Sequence, residues 1–289
     1  MFAGMTVREA NQHIIKNLSD IYPGGEAAAI SDLVIEHLTG LPKSRRTGDE
    51  IFLNEDLVLK IEIILQRLLQ HEPVQYVLNE SWFCGLKLYV DKNVLIPRPE
   101  TEELVEWIVS EFKQNKDEIS ILDVGTGSGC IPLALKNKLP HAGIWSCDIS
   151  QGALNIARKN ANTYKLDVNF IQLNFLDRNE RNPLPTFNII VSNPPYIPEK
   201  DRQVMEPNVV NFEPSKALFV PNDNALLFYE ALADFGINHL EQDGCIYAEI
   251  HESLGSLTVQ LFGMYGYATE LRKDMQGKDR MIKACKNFK

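Results

Sequence analysis

Asn193-Pro194-Pro195-Tyr196 is the segment whose residue types most narrowly limit a chemistry. Its two prolines remove two N–H donors and stiffen the backbone. The Pro194 carbonyl is then free to accept a hydrogen bond in a fixed direction. Asn193 offers a second acceptor, and Tyr196 an aromatic face. This set suits an exocyclic or amide NH2, which is a poor nucleophile because its lone pair is delocalised. Two acceptors that hold its hydrogens can twist it and aim the lone pair at a methyl group on a sulfonium. Positive charge then builds on nitrogen, where acceptors and a ring face stabilise it. No base is needed first, and no His or Glu adjoins the motif. A bare Pro-Pro would read as a rigid turn. Here the motif follows the apolar strand Ile189-Ile190-Val191-Ser192, at the edge of a parallel sheet where ligands bind. The local chemistry does not choose between adenine and an amide.

A second constellation is Asp123-Val124-Gly125-Thr126-Gly127-Ser128-Gly129, between a strand and a helix. Glycines there allow a sharp turn and close ligand approach. Alone, the loop could bind a dinucleotide, S-adenosylmethionine or nothing. Its Gly-x-Gly-x-Gly spacing differs from the Gly-x-Gly-x-x-Gly that suits a pyrophosphate. Asp123 ends the strand, and a donor's ammonium group wants a carboxylate nearby. The next strand ends in Cys147-Asp148, and an acid at that tip can accept from both ribose hydroxyls. Otherwise Asp148 caps the following helix.

The elements that must position these residues fall into two regions. Up to about residue 72 the pattern is helical. Thr6-Val7-Arg8-Glu9 has the form of a capping box, followed by Val7, Ala10, Ile14 and Leu18 at helical spacing. A second helix carries Ile30 to Leu38 and ends at Gly40, with Pro42 behind it. Lys43 to Glu50 reads as a polar connector, and a third helix runs through Leu57 to Leu68. From Val74 the period changes. Leu86, Leu88 and Val90 alternate with Lys87 and Tyr89, which suggests a hairpin within Asn79 to Val94. A helix from about Glu100 to Gln114 follows. Then strands at Ile119 to Val124, Gly143 to Cys147, Val168 to Leu173, Phe187 to Ser192 and Gly244 to Ile250 alternate with helices at Cys130 to Asn137, Gln151 to Tyr164 and Asp223 to Leu240. That alternation predicts an α/β fold, a mainly parallel sheet with helices on both faces.

Composition narrows the partners. Hydrophobic residues make up 44 %, enough for a core. The net charge of -10 argues against a protein that wraps nucleic acid. Lys43-Ser44-Arg45-Arg46 is a small basic patch, read as a solvated linker. No apolar run is long enough to span a bilayer, and Met1 to Ala10 lacks a secretory pattern, so a cytoplasmic protein is expected. The five cysteines form no Cys-x-x-Cys pair. They are expected to be small buried residues, with no disulfide framework and no metal.

With these residues in place, the chain resembles the HemK/PrmC family of protein-glutamine N5-methyltransferases, which modify the Gln of the Gly-Gly-Gln motif in peptide chain release factors. The matching segments are Pro73-Val74-Gln75-Tyr76, Leu95-Ile96-Pro97-Arg98-Pro99-Glu100-Thr101-Glu102, Asp123 to Gly129, Asp148-Ile149-Ser150, Val191 to Ile197 and Gly277-Lys278-Asp279-Arg280. The resemblance implies a helical substrate-binding domain over 1–75, a β-hairpin connector over 76–97 and a methyltransferase domain over 98–289. That last domain would be a Rossmann-like class I S-adenosylmethionine-dependent sheet of seven strands, the last antiparallel. By match, Gly125, Thr126, Gly127, Ser128 and Gly129 hold the donor's amino-acid part, Asp148 its ribose and Phe175 its adenine. Asn193, Pro194, Pro195 and Tyr196 hold the glutamine, with Asn193, Pro194 and Tyr196 catalytic and Asn193 also beside the donor. Arg98 and Glu100 lie near the donor and the site entrance. The implied partner is a release factor, with no direct nucleic-acid contact, no membrane and a monomeric state.

Two segments depart from the family. Asn174 stands where Asp is common, and His251-Glu252-Ser253-Leu254 replaces Gly-x-x-Gln. A nucleic-acid adenine-N6 methyltransferase shares Asn-Pro-Pro-Tyr, but the acidic total and the missing basic recognition domain speak against it. A binding module would keep the glycine loop without needing Asn193.

Overall fold

The computed structural model describes residues 4–46, 51–114 and 117–286. The helices α1 (Val7–Leu18), α2 (Glu26–Thr39), α3 (Glu55–Leu68) and α4 (Val74–Leu78) come first, then the hairpin β1 (Ser81–Phe83) and β2 (Leu86–Leu88). Next are α5 (Pro99–Phe112), β3 (Ser120–Val124), α6 (Cys130–Lys138), β4 (Gly143–Asp148), α7 (Gln151–Tyr164), β5 (Asn169–Gln172), α8 (Arg178–Arg181) and β6 (Phe187–Ser192). The chain continues with β7 (Ile197–Pro198), α9 (Pro207–Phe212), α10 (Ser215–Leu218), β8 (Phe219–Val220), α11 (Leu227–His239), β9 (Leu240–Glu249), α12 (Gly255–Met264), β10 (Tyr267–Lys273) and β11 (Asp279–Lys286).

Two compact units result: Met1–Glu80 with Glu206–Phe212, and Ser81–Met205 with Glu213–Lys289. In the first, the Thr6 capping box is formed in both directions, and α2 ends at Gly40 with φ 68°. Ala10, Ile14, Leu18, Val34, Ile61 and Leu68 are buried at its centre. The basic patch is drawn to Asp32, through Lys43 at 2.7 Å and Arg46 at 2.8 Å. Residues 47–50 of the expected connector lie outside the described residues. Among the described residues no helix is long and apolar enough to cross a membrane.

The second unit is built on one seven-stranded sheet of order β10-β11-β9-β6-β3-β4-β5. β9, β6, β3, β4 and β5 run parallel, while β11 is antiparallel to both its neighbours. Leu104 and Ile108 of α5 and Leu133 of α6 cover one face over Ile121, Ile189 and Val191. Tyr229, Leu232 and Phe235 of α11 and Phe262 of α12 cover the other over Leu122, Ile190 and Ile246. The strands buried on both faces are the near-continuous apolar runs of the sequence.

Three readings change. Val74–Leu78 is a short helix, closed by Asn79 at φ 54°, because four of its five residues are buried and so short an apolar run fits either period. α12 and the β10–β11 hairpin had no signal of their own, since β10 is an edge strand with charged, exposed positions. The expectation of no disulfide is overturned at one pair. Cys245 and Cys285, 40 residues apart, face each other in the β9–β11 register with Cα atoms 4.1 Å apart and are bonded. Strand pairing sets that proximity, and cysteine spacing along the chain does not reveal it. Cys84, Cys130 and Cys147 are free thiols.

Candidate active site

Sheet register puts the candidate residues in one row. Val124 pairs with Cys147 and with Ser192, and Ser192 pairs with Ala248. One residue further on, Asp148, Gly125, Asn193 and Glu249 stand side by side at the carboxyl ends of four neighbouring strands, where a parallel sheet presents ligand sites.

The glycine loop is folded back on β4. Gly125 N and Thr126 N donate to Cys147 O at 2.9 and 3.1 Å. Gly127 N donates to Asp148 Oδ2 at 2.9 Å, and Ser150 N to Oδ1 at 2.8 Å. Asp148 is not the cap of α7: Ser150 is, accepting from Ala153 N at 3.2 Å. Burial raises the Asp148 carboxyl, and the backbone N–H groups of Gly127, Ser150 and Ile149 oppose that. Gly129 has φ 82°, and a Cβ there would lie 3.2 Å from Ala157 Cβ. It lets α6 and α7 approach, a packing role.

A cavity of about 480 Å³ opens in front of the row. Gly125, Gly127, Asp148, Phe175, Asn193, Pro194 and Pro195 line it, together with the half-exposed Ile149. Thr126, Ser128, Gly129 and Tyr196 do not. Thr126 turns inward, its hydroxyl 3.1 Å from Asp123 Oδ2, and the Ser128 carbonyl accepts from Asn160 at 2.9 Å. Phe175 is held by Phe235, edge-on at 5.1 Å, and by Arg181 over its ring at 5.2 Å. Asn174 uses its side chain locally, accepting from Leu176 N at 3.1 Å. Asp123 is fully buried, and its Oδ1 has no hydrogen-bond partner among the described residues. Apolar walls, a carboxylate at the rim and an unmatched buried acceptor behind the glycine loop fit a nucleoside ligand that carries positive charge. Among the described residues no cluster of His, Cys, Asp or Glu could hold a metal ion.

Behind Asn193 lies a network the sequence did not reveal. Asn193 Nδ2 donates to Thr101 Oγ1 at 3.0 Å, and Thr101 Oγ1 donates to Glu249 Oε2 at 2.6 Å. Tyr196 OH donates to Glu249 Oε1 at 3.1 Å, and Tyr229 OH to the Glu249 carbonyl at 3.1 Å. Burial raises the Glu249 carboxyl. Thr101, Tyr196 and Arg280 oppose that, and Glu100 adds to it. Burial and the Glu249 charge raise the Tyr196 phenol. Among the described residues nothing donates to the Pro194 carbonyl.

Arg98 pairs with the buried Glu213 at 2.5 Å, and the same carboxylate accepts from Ile96 N at 3.1 Å, which fixes the segment before α5. His251 caps a 3-10 turn (Glu252–Leu254), its ring 5.9 Å from that of Tyr196. The departure from the family pattern therefore borders Tyr196 and leaves the row intact.

A family model described as "Methyltransferase small domain" matches residues 102–211. A release factor glutamine methyltransferase from Flavobacterium psychrophilum is 38 % identical over 99 % of this chain and 100 % of its own length. The chain belongs to the release factor glutamine methyltransferase family. A relative of the same name from Bacteroides thetaiotaomicron is 38 % identical, with 94 % of this chain and 97 % of that one covered. Among solved structures, a methyltransferase from Pyrococcus furiosus matches with a TM-score of 0.50 at 16 % identity, covering 77 % of this chain and 98 % of that one. That likeness concerns the fold, a class I methyltransferase sheet. Members of this family are enzymes, so the rival of a non-catalytic binding module drops away.

Proposed function

We propose that this protein transfers a methyl group from S-adenosylmethionine to the side-chain amide nitrogen of the glutamine in the Gly-Gly-Gln motif of peptide chain release factors. The observation that carries the reading is the state of the Asn193 amide. Its Nδ2 is occupied by Thr101 at 3.0 Å, so Oδ1 is left for a ligand, on a cavity that Gly125, Asp148 and Phe175 also line. Family membership supports the donor and the substrate class.

When bound, the donor supplies an electrophilic methyl group on a sulfonium. Phe175 and Ile149 offer apolar faces to its base, and Asp148 offers acceptor oxygens to its ribose. The open backbone of Gly125 and Gly127 receives its amino-acid end, with Thr126, Ser128 and Gly129 supporting that loop from behind. On the substrate side, Asn193 Oδ1 and the Pro194 carbonyl accept the two hydrogens of the glutamine NH2 and direct its lone pair. Pro195 stiffens the turn, and Tyr196 is held beside it by Glu249. The same acceptors stabilise the charge that builds on nitrogen, and the proton leaves to water after transfer. The reading makes this a monomeric cytoplasmic enzyme whose protein partner is the release factor.

The test uses purified protein, a release factor, labelled donor and mass spectrometry of the Gly-Gly-Gln peptide, with duplex DNA as a second acceptor. A gain of one methyl on glutamine is expected, and none on DNA. An unmodified glutamine sinks the reading. Asn193→Ala is expected to abolish transfer while S-adenosylhomocysteine still binds. Loss of that binding would assign Asn193 to the donor instead.

A further inference from the structure

We infer that Thr101 and Glu249 are positioning residues that fix which end of the Asn193 amide faces the substrate. The inference rests on the reading just given and adds two residues to it. A threonine hydroxyl has one hydrogen. Glu249 Oε2, 2.6 Å away, takes it. Thr101 then presents only lone pairs to Asn193, 3.0 Å away, so the amide must turn its NH2 inward and its Oδ1 outward. A reversed amide would set two acceptors against each other. Glu249 is paired at both oxygens, by Thr101 and by Tyr196, and both pairs are satisfied by an ionised carboxylate. Thr101 and Glu249 are 2 % and 1 % exposed, so water cannot substitute for either.

One buried acid thus orients both polar side chains of the Asn-Pro-Pro-Tyr turn, through Thr101 to Asn193 and directly to Tyr196. An acceptor already aimed before the substrate arrives costs no reorganisation during transfer. The effect should therefore appear in turnover, with donor binding and release-factor KM unchanged.

Thr101→Val keeps the branched shape and removes the hydroxyl. Glu249→Gln keeps the shape and introduces a donor that can release the Thr101 hydrogen. Each is expected to lower kcat about 10- to 100-fold, with S-adenosylhomocysteine affinity unchanged. Thr101→Ser, which retains the hydroxyl, is expected to stay close to wild type. The Thr101→Val/Glu249→Gln double variant is expected to be no slower than the worse single one, because both act through the same amide. Should Thr101→Val fail to fold, Glu249→Gln and Thr101→Ser decide. Wild-type turnover in Glu249→Gln, or a loss in Thr101→Ser matching Thr101→Val, overturns the inference. If the wild type itself transfers no methyl, the functional reading fails, and hydrogen exchange at the Asn193 side-chain amide, followed by NMR, tests the orientation alone. Slow exchange in the wild type and at least about tenfold faster exchange in Thr101→Val support it. Equal rates overturn it.

Discussion

Asp123 is the last residue but one of β3 and has no exposed surface, and its Oδ2 receives both of its side-chain hydrogen bonds, from Ser146 and Thr126. Burial pushes its carboxyl up to about 7; the two hydroxyls pull it down, and the nearby Asp148 charge adds to the rise. From 3.8 to about 7 is roughly three pH units. At about 1.4 kcal/mol each, holding this carboxylate ionised at pH 8 costs the folded state on the order of 4 kcal/mol. Because the folded value is raised, the group favours the native state fully below pH 3.8, and that contribution disappears as pH rises through about 7. Asp123→Asn removes the charge at constant shape. Its amide nitrogen occupies the place of the unmatched Oδ1 and also lacks a partner, which offsets about 1–3 kcal/mol of the gain.

The ligand-free variant is therefore expected to melt several degrees above wild type at pH 8, at about 2–4 °C per kcal/mol. The difference should shrink as pH falls and reverse towards pH 4, where the gain is gone and the unpartnered amide nitrogen remains. Calorimetry from pH 4 to pH 8 reads it directly. A variant that melts below wild type at pH 8, or an offset that does not change with pH, refutes the reasoning. Retaining so costly a charge makes sense where a cationic ligand group is received, so saturating S-adenosylhomocysteine is expected to stabilise wild type more than Asp123→Asn.

Two further outcomes follow from the same loop. Gly127→Ala meets nothing within 4 Å and has φ 52°, so only backbone strain of about 1–2 kcal/mol is expected; Gly129→Ala adds a clash with Ala157 and Leu133, at 3.2 Å each, worth about 1–3 kcal/mol more. Denaturant titration should rank Gly129→Ala well below Gly127→Ala, and equal losses would deny the packing role. Asp148→Ala frees the N–H groups of Gly127 and Ser150 and removes the rim acceptor, so titration calorimetry with S-adenosylhomocysteine should show at least about a tenfold weaker Kd. An unchanged Kd would leave Asp148 a structural residue of the loop.

What could be read from sequence follows what each signal measures. β6 and α7 match their expected bounds because each is a full run of its own period. Gly125, Gly127, Asp148 and Asn193, which the fold brings to one cavity, stand in patterns carried by adjacent residues and so visible in the sequence. Thr101 and Glu249 do not. They meet across 148 residues, and Thr101 meets Asn193 across 92. Nothing local distinguishes a threonine in the first turn of a helix that will face a buried acid. Glu213 was missed likewise, since it reaches Arg98 and Ile96 only through the fold. A retrospective cue existed for Glu249: an acid within one residue of the end of an apolar run, as Asp123 and Asp148 are.

That repetition bears on the chemistry. Asp148 and Glu249 end β4 and β9, Asp123 is the last residue but one of β3, and Asn193 stands just past β6, which lies between β3 and β9. Each acid is committed to a neighbour: Asp148 to two backbone N–H groups, Asp123 to two hydroxyls, Glu249 to Thr101 and Tyr196. Burial raises all three carboxyls, yet none is presented to the Asn193 turn as a free base. A reaction that began by stripping a proton from nitrogen would need such a base within hydrogen-bond reach. A reaction in which nitrogen attacks first needs fixed acceptors, and a negative surround favours a cationic donor and the charge that passes to nitrogen. Under the proposed reading the acids serve that second requirement, Glu249 by holding the acceptors still and Asp148 by standing as an acceptor on the donor side of the cavity.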